Sequence, residues 1–195
     1  LQIYGGTSPP KSRQEVRNQA LPAAAQTGPA FRDAHASLAF AAASDQDALT
    51  SIANGWGERA SQGNALASKV MVPMIQGIEA FGQGDYRTAV KRLEPVIPHL
   101  VRIGGSHAQR EVFEDTLLEA YLRAELFVEA EAMLRSRLKQ RVSIRDTFWL
   151  GRAQAANGQL ENARASLNEA ASQWQGGDAD SPEIRNLAET SRRVG

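Results

Sequence analysis

The stretch GQGDYRTAVKRLEPV, residues Gly82–Val96, joins a glycine-bounded turn to an amphipathic helix, and ANGQLENARASLNEA, Ala156–Ala170, repeats it. An alanine stands inside related stretches at Ala48, Ala89, Ala130 and Ala163, at spacings of 41, 41 and 33 residues. Recurrence at such periods is the mark of stacked helical hairpins. The fold read from it is all-α: a right-handed α-solenoid of hairpins with a C-terminal capping helix. Solenoids present extended concave surfaces, which bind more often than they catalyse.

Working outward, the chain of 195 residues has room for four hairpins and a cap. The first 29 residues hold four of the eight prolines and read as a linker or a frayed N-terminal segment, with one short helix near Arg13–Ala20 that stops before Pro22. Residues 30–195 form the repeat domain. Its hairpins cover about 30–60, 61–101, 106–141 and 146–174, and the capping helix covers 181–193. Ser44 is read as a cap for the second helix, with Asp47 three residues on. Asp85 caps the helix Tyr86–Val101. Ser106 and Gln109 form a capping box, Asn157-Gly158 is a left-handed stop, and Ser181-Pro182-Glu183 starts the last helix.

Packing explains the repeat. Helices approach closely where side chains are small, at Gly77 and Gly151, and the second helices answer with Ala89 and Ala163. Tyr86, Leu93, Phe127, Leu134, Leu160 and Leu167 fill the remaining space. The third pair departs from the pattern, with Leu118 at the small position.

Phe148–Trp174 resembles the tetratricopeptide repeat, whose period is about 34 residues. The 41-residue spacings exceed that by seven, which adds about two turns and rotates a helical face by only about 20°. Long first helices in the second and third pairs follow. A narrower resemblance lies in IGGSHAQREVFEDTLLEAYLRA (Ile103–Ala124), DAHASLAF (Asp33–Phe40), IEAFGQGDYRTAVKRLEPV and LRAELFVEAEAMLRSRLKQR. Together these resemble the C-terminal part of the tetratricopeptide repeat protein 38 family over Phe31–Arg141. Glu111 stands where that pattern has Asp, and the repeat from Asp146 is of the general type. The resemblance implies a fold more than a function.

Charge narrows the function classes. Lys+Arg and Asp+Glu are both 22, so neither net charge nor a basic stripe points to nucleic acid. The chain has no cysteine, which removes disulfides and thiolate metal sites. It has no apolar run near the roughly 18–20 residues of a membrane span. LQIYGGTSPPKSR lacks the pattern of a signal peptide, and the start at Leu1 reads as a processed form or an excised segment. Cytoplasmic placement fits these features.

Two sites compete. In GGSHAQR, the glycines and the capping box alone account for Gly104, Gly105, Ser106 and Gln109. Alternatively, helix N–H groups beside Ser106, His107 and Arg110, with His35 across from them, make an anion or ligand site. A metal held by His35, His107 and Asp33 or Glu114 lacks compact ligand spacing, and His99 lies apart. Adjacent Ser106 and His107 do not make a nucleophile pair. The second site is the concave groove. In the second pair Met71, Met74, Ile78 and Phe81 belong to the core, line an apolar groove or lie under a covering N-terminal segment. In the third and fourth pairs the corresponding residues are Asp115, Glu119, Arg123, Arg145, Phe148 and Arg152, with the arginines suited to acidic peptide groups.

The leading expectation is a non-catalytic scaffold that binds a peptide segment or partner protein, without cofactor, metal or catalytic residues. The alternative is a small-molecule or anion-binding protein or enzyme centred on His35, His107 and Arg110. Pairing into a homodimer through exposed ends stays open.

Overall fold

The computed structural model describes residues 12–174 and 182–194. Among these, all regular structure is helical and no strand occurs. The chain divides into two compact units, one drawn from Ser8–Ala120 and one from Tyr121–Gly195. The sequence reading of 30–195 as one repeat domain does not anticipate this boundary, which falls inside a helix.

In the first unit, α1 (Arg13–Ala25) begins with a full capping box: Ser12 Oγ accepts from the Glu15 N–H at 3.2 Å, and the Ser12 N–H donates to Glu15 Oε2 at 2.6 Å. The helix runs through Pro22 instead of stopping before it: the Asn18 carbonyl loses its helical donor there, and the ladder resumes beyond, with the Gln26 N–H reaching the Pro22 carbonyl at 3.2 Å. α1 packs on α2 (Ala30–Ala42) and α3 (Gln46–Ser61), so residues 13–25 belong to the packed unit and are not a linker. Residues 1–11 of the expected N-terminal segment lie outside the described residues.

The second pair opens on a π turn, Ala67–Met71, which leads into α4 (Val72–Gly82). The Val72 N–H reaches five residues back to the Ala67 carbonyl just before Pro73, whose ring would crowd the carbonyl four residues earlier in a regular helix. Met71, Met74 and Ile78 are fully buried, so this stripe is core. The expected helix Tyr86–Val101 is shorter than read. α5 ends at Leu93 and a 3-10 helix, Glu94–Ile103, takes over. Pro95 and Pro98 explain the change, since neither can donate to an α ladder. Next comes α6 (His107–Arg123), 17 residues against 13 for the first helix of the last pair, which fits the long first helix expected for the third pair.

The second unit contains α7 (Phe127–Gln140), α8 (Ile144–Ala156), α9 (Leu160–Gln173) and α10 (Pro182–Val194). α10 packs on α9 through buried Leu187 and Val194, and Arg164 donates to the Val194 carbonyl at 2.9 Å. This is the expected terminal helix. Ser181, its expected cap, lies outside the described residues.

The four hairpin turns share one geometry. A residue with positive φ (Ser44, Gly84, Glu125 or Gly158) precedes an N–H that bonds a carbonyl five residues back at 2.9 Å, from Asp45, Asp85, Leu126 and Gln159 to Phe40, Ala80, Tyr121 and Gln154. This is a Schellman-type stop. Ser44 is therefore the left-handed residue and not the cap. Asp45 caps α3, its side chain accepting from the Ala48 N–H at 3.1 Å. Aligned on the turns, Leu49 matches Ala89, Ala130 and Ala163, whereas Ala48 matches Thr88, the residue that Asp85 caps. The first alanine of the recurrence is thus one residue out of register.

Two glycines make room inside their own hairpins. A Cβ on Gly77 would lie 2.6 Å from Leu93 Cγ, and one on Gly151 would lie 2.7 Å from Leu167 Cγ. In both cases the small residue admits a leucine from the second helix rather than the expected alanine.

Candidate functional site

The GGSHAQR motif builds a turn. Gly104 and Gly105 have φ of 91° and 75°, a region that glycine enters without strain. Gly105 also lies under the Phe31 ring, which would collide with any Cβ there. Ser106 and Gln109 complete their box: the Ser106 N–H donates to Gln109 Oε1 at 2.8 Å, and the Gln109 N–H donates to Ser106 Oγ at 3.3 Å. Arg110 Nη1 turns back to the Gly104 carbonyl at 3.2 Å and to the Gly105 carbonyl. His107 is exposed.

His35 does reach the start of α6, though by way of Gln109 and not His107. Its Nδ1 lies 2.8 Å from the Phe31 carbonyl and its Nε2 lies 3.1 Å from the Gln109 carbonyl. Phe31 and Phe113 flank the ring at centroid distances of 4.2 and 5.0 Å. A hydrogen bond from its one N–H to a carbonyl and the two flanking rings hold the imidazole, so it forms a wall of whatever lies beside it.

Beside it lies a groove of about 520 Å³. One wall is the α1 face Val16, Gln19, Ala20, Pro22 and Ala23, and the other is the α2 face Phe31, Arg32, His35, Ala36 and Ala39, with Gln109 at one end. The groove follows from side-chain size. Ala20 and Ala23 face Ala36 and Ala39, and methyl groups on both sides leave space that larger residues would have filled. Sequence reading missed this site because it took residues 1–29 for a linker or frayed segment and considered a covering N-terminal segment only over the stripe Met71, Met74, Ile78 and Phe81. The signal was present in the alanines of α1 and in the Ser12–Glu15 box.

The far end of α1 and the segment after it are strapped down. The Asp33 carboxylate is fully buried and accepts from the Gly28 N–H at 2.7 Å, Trp56 Nε1 at 3.0 Å and Arg32 Nε at 2.9 Å. Arg59 donates to the Thr27 carbonyl at 2.8 Å, and the Thr27 side chain sits where a Cβ on Gly55 would be. Ser51 Oγ donates to the Ala24 carbonyl at 2.8 Å. At the near end, Arg17 Nε pairs with Asp45 Oδ2 at 2.5 Å. The Ala48 N–H holds the Asp45 carboxyl below its usual range and Arg17 adds to the effect, against an upward push from burial.

The residues expected to line a concave groove are placed differently. Asp115, Glu119 and Phe148 are only 5%, 6% and 3% exposed, so they are interior residues and not an open surface. Mixed charges on a helix read as a solvated face, yet charged groups enter interiors when they are paired. In the second unit Arg123 is exposed, Arg145 lies over the Trp149 ring at 5.5 Å, and Arg152 lies over the Phe148 ring at 5.8 Å. Buried Asp146 gathers arginines: Arg137 Nε at 3.1 Å and Arg141 Nη2 at 3.5 Å approach Oδ2, while Arg145 Nε stands 3.7 Å from Oδ1. Glu131 ties α7 to the next hairpin, accepting from Arg135 Nε at 2.9 Å and Gln159 Nε2 at 2.8 Å. Burial pushes its carboxyl up, but the hydrogen bonds from Arg135 and Gln159 outweigh that and hold it below the ordinary value.

Among the described residues no group of three or more His, Asp or Glu side chains is placed to hold a metal ion, and no helix is long and apolar enough to cross a membrane. No family model matches the chain, and no solved structure matches it.

Proposed function

We propose that this protein is a non-catalytic scaffold that binds a peptide segment, and that its hairpins are tetratricopeptide-like repeats of a right-handed α-solenoid. The shared left-handed stop of the four turns supports the repeat reading. The observation that carries the binding reading is the groove between α1 and α2. Its walls are mainly methyl groups and one phenyl ring, and it suits one or two apolar side chains of a short peptide. Exposed Gln19 among its lining residues offers an amide donor for a peptide carbonyl, while the Arg32 guanidinium beside it is engaged by Asp33 and the Gln26 carbonyl.

Selection from a displayed peptide library on the purified protein, followed by calorimetry, tests this reading. Half-buried Ala39 lines the groove, so Ala39→Glu fills it with a charged side chain. Selected peptides that bind wild type and lose at least about tenfold in affinity for Ala39→Glu support it. Peptides that bind both forms equally contradict it.

A second reading, a small organic ligand in the same groove, is favoured by the volume, which falls in the roughly 300–1,000 Å³ range of such pockets. A metabolite thermal-shift screen on wild type and Ala39→Glu separates it from peptide binding.

A further inference from the structure

We infer that the 3-10 helix Glu94–Ile103 carries a second binding surface, a rigid ridge of Pro95, Pro98 and Val101 that seats an aromatic, acid-bearing cleft of a partner protein. None of these residues lines the α1–α2 groove, and the inference does not depend on it. With three residues per turn, a 3-10 helix eclipses side chains three positions apart. Leu100 and Ile103 share a buried face, and Val96 is buried beside them, which holds the helix on its unit. Pro95, Pro98 and Val101 share another face, and all are exposed, Val101 by 66%. Exposed apolar residues scattered singly need no explanation, but a row of them over about 12 Å makes a continuous ridge.

Two features of the ridge name the partner's chemistry. Pro98 has no N–H, so the Pro95 carbonyl, which points along the helix toward it, loses its 3-10 donor. An acceptor left open between two pyrrolidine rings suits an aromatic ring that carries a donor, as the indole of Trp or the phenol of Tyr does. Beside the ridge, exposed His99 and Arg102 align on the neighbouring face, and neither pairs with an acid among the described residues. Glu94 stands at the other end of the helix, so charge complementarity places the partner's carboxylate at the Val101 end, against Arg102. A row of three side chains falls far below the roughly 800 Å² per partner of a stable interface between copies. It has instead the size of an anchor that fills a partner's cleft, and prolines with fixed φ lose little freedom on docking.

NMR titration of the full chain with three small molecules tests the ridge. N-acetyl-tryptophan has the ring, the donor and the carboxylate; N-acetyl-tryptophanamide lacks the carboxylate, and N-acetyl-leucine lacks the ring. N-acetyl-tryptophan is expected to shift the Val101 methyls and the Pro95 and Pro98 ring protons upfield and saturably, with N-acetyl-leucine roughly tenfold weaker. Arg102→Gln should lower the affinity for N-acetyl-tryptophan to that of the amide while leaving the amide unchanged. Val101→Asp should abolish both, with resonances away from the ridge unmoved as the sign that it folds. Absence of saturable shifts at the ridge, or equal binding of the leucine and tryptophan compounds, overturns the inference. An affinity for N-acetyl-tryptophan that ignores Arg102→Gln overturns the acidic partner. Ridge shifts that follow protein concentration with no compound added assign the surface to a second copy and overturn it as well.

Discussion

Gly77 and Leu93 share one packing site: the glycine of α4 gives up its side-chain space to Leu93, whose Cγ would lie 2.6 Å from a Cβ on Gly77. Gly151 and Leu167 repeat the relationship at 2.7 Å. Both leucines are about 1% exposed and have little room to retreat.

Alanine at these glycines sets helix propensity against overpacking. Propensity favours alanine by about 0.5–1 kcal/mol, while forcing a methyl into a filled core costs about 1–3 kcal/mol. Gly77→Ala and Gly151→Ala are therefore expected to lower stability in urea unfolding by about 1 kcal/mol. Gly57 in α3 is the control, because a Cβ there meets nothing within 4 Å. Gly57→Ala is expected to stabilise by roughly 0.5–1 kcal/mol. Leu93→Ala combined with Gly77→Ala should cost less than the two changes added separately.

How much of this was legible in the sequence depended on whether a signal was local. The all-helical character, the box at Ser106–Gln109 and the last helix follow from residues a few positions apart. Pro95 and Pro98 were equally local, and they explain why α5 gives way to a 3-10 helix. Ala48 misled because composition repeats while the turn geometry sets the register, and that geometry matches Leu49 to the other alanines. The groove was harder to see, since the alanines of α1 and α2 become neighbours only through tertiary packing. The burial of Asp115 and Glu119 was likewise invisible, because charge on a helix face does not say what covers it.

Asp33 joins α2, α3 and the segment after α1. Asp33→Ala leaves the Trp56 and Gly28 donors without their acceptor in the interior, and a loss of about 3 kcal/mol or more is expected. Trp56→Phe removes one hydrogen bond while keeping most of the ring, so about 1 kcal/mol is expected from that bond. Urea titration of both variants gives the comparison. A smaller loss in Asp33→Ala than in Trp56→Phe would remove Asp33 as the organising group.

In the second unit, Arg137 plays the corresponding part for Asp146. Arg137→Met deletes the closest cation from a carboxylate that is fully buried, and a cost of about 3 kcal/mol is expected. Asp146→Asn in the Arg137→Met background should recover part of it, which a double-mutant cycle reads directly.

Acid should weaken the contact between Arg17 of α1 and Asp45, the cap of α3. The Asp45 carboxyl is held below its ordinary value of 3.8 by the Ala48 N–H and Arg17. A folded value below the unfolded one means that Asp45 contributes stability above the unfolded value and loses it as pH falls through the folded value. The stability that Asp45 supplies through Arg17 and the α3 cap is therefore expected to decline once the pH falls below about 4. Thermal melts of wild type should fall across this window more steeply than those of Asp45→Asn. Parallel melts for the two proteins would contradict the assignment.

The central claim is that a peptide binds between α1 and α2. Calorimetry of one selected peptide against wild type, Ala39→Glu and Arg152→Glu tests it most directly. The account predicts that Ala39→Glu weakens binding at least about tenfold while Arg152→Glu matches wild type. Loss of binding in Arg152→Glu with none in Ala39→Glu would contradict it and return the site to the arginine face of α8.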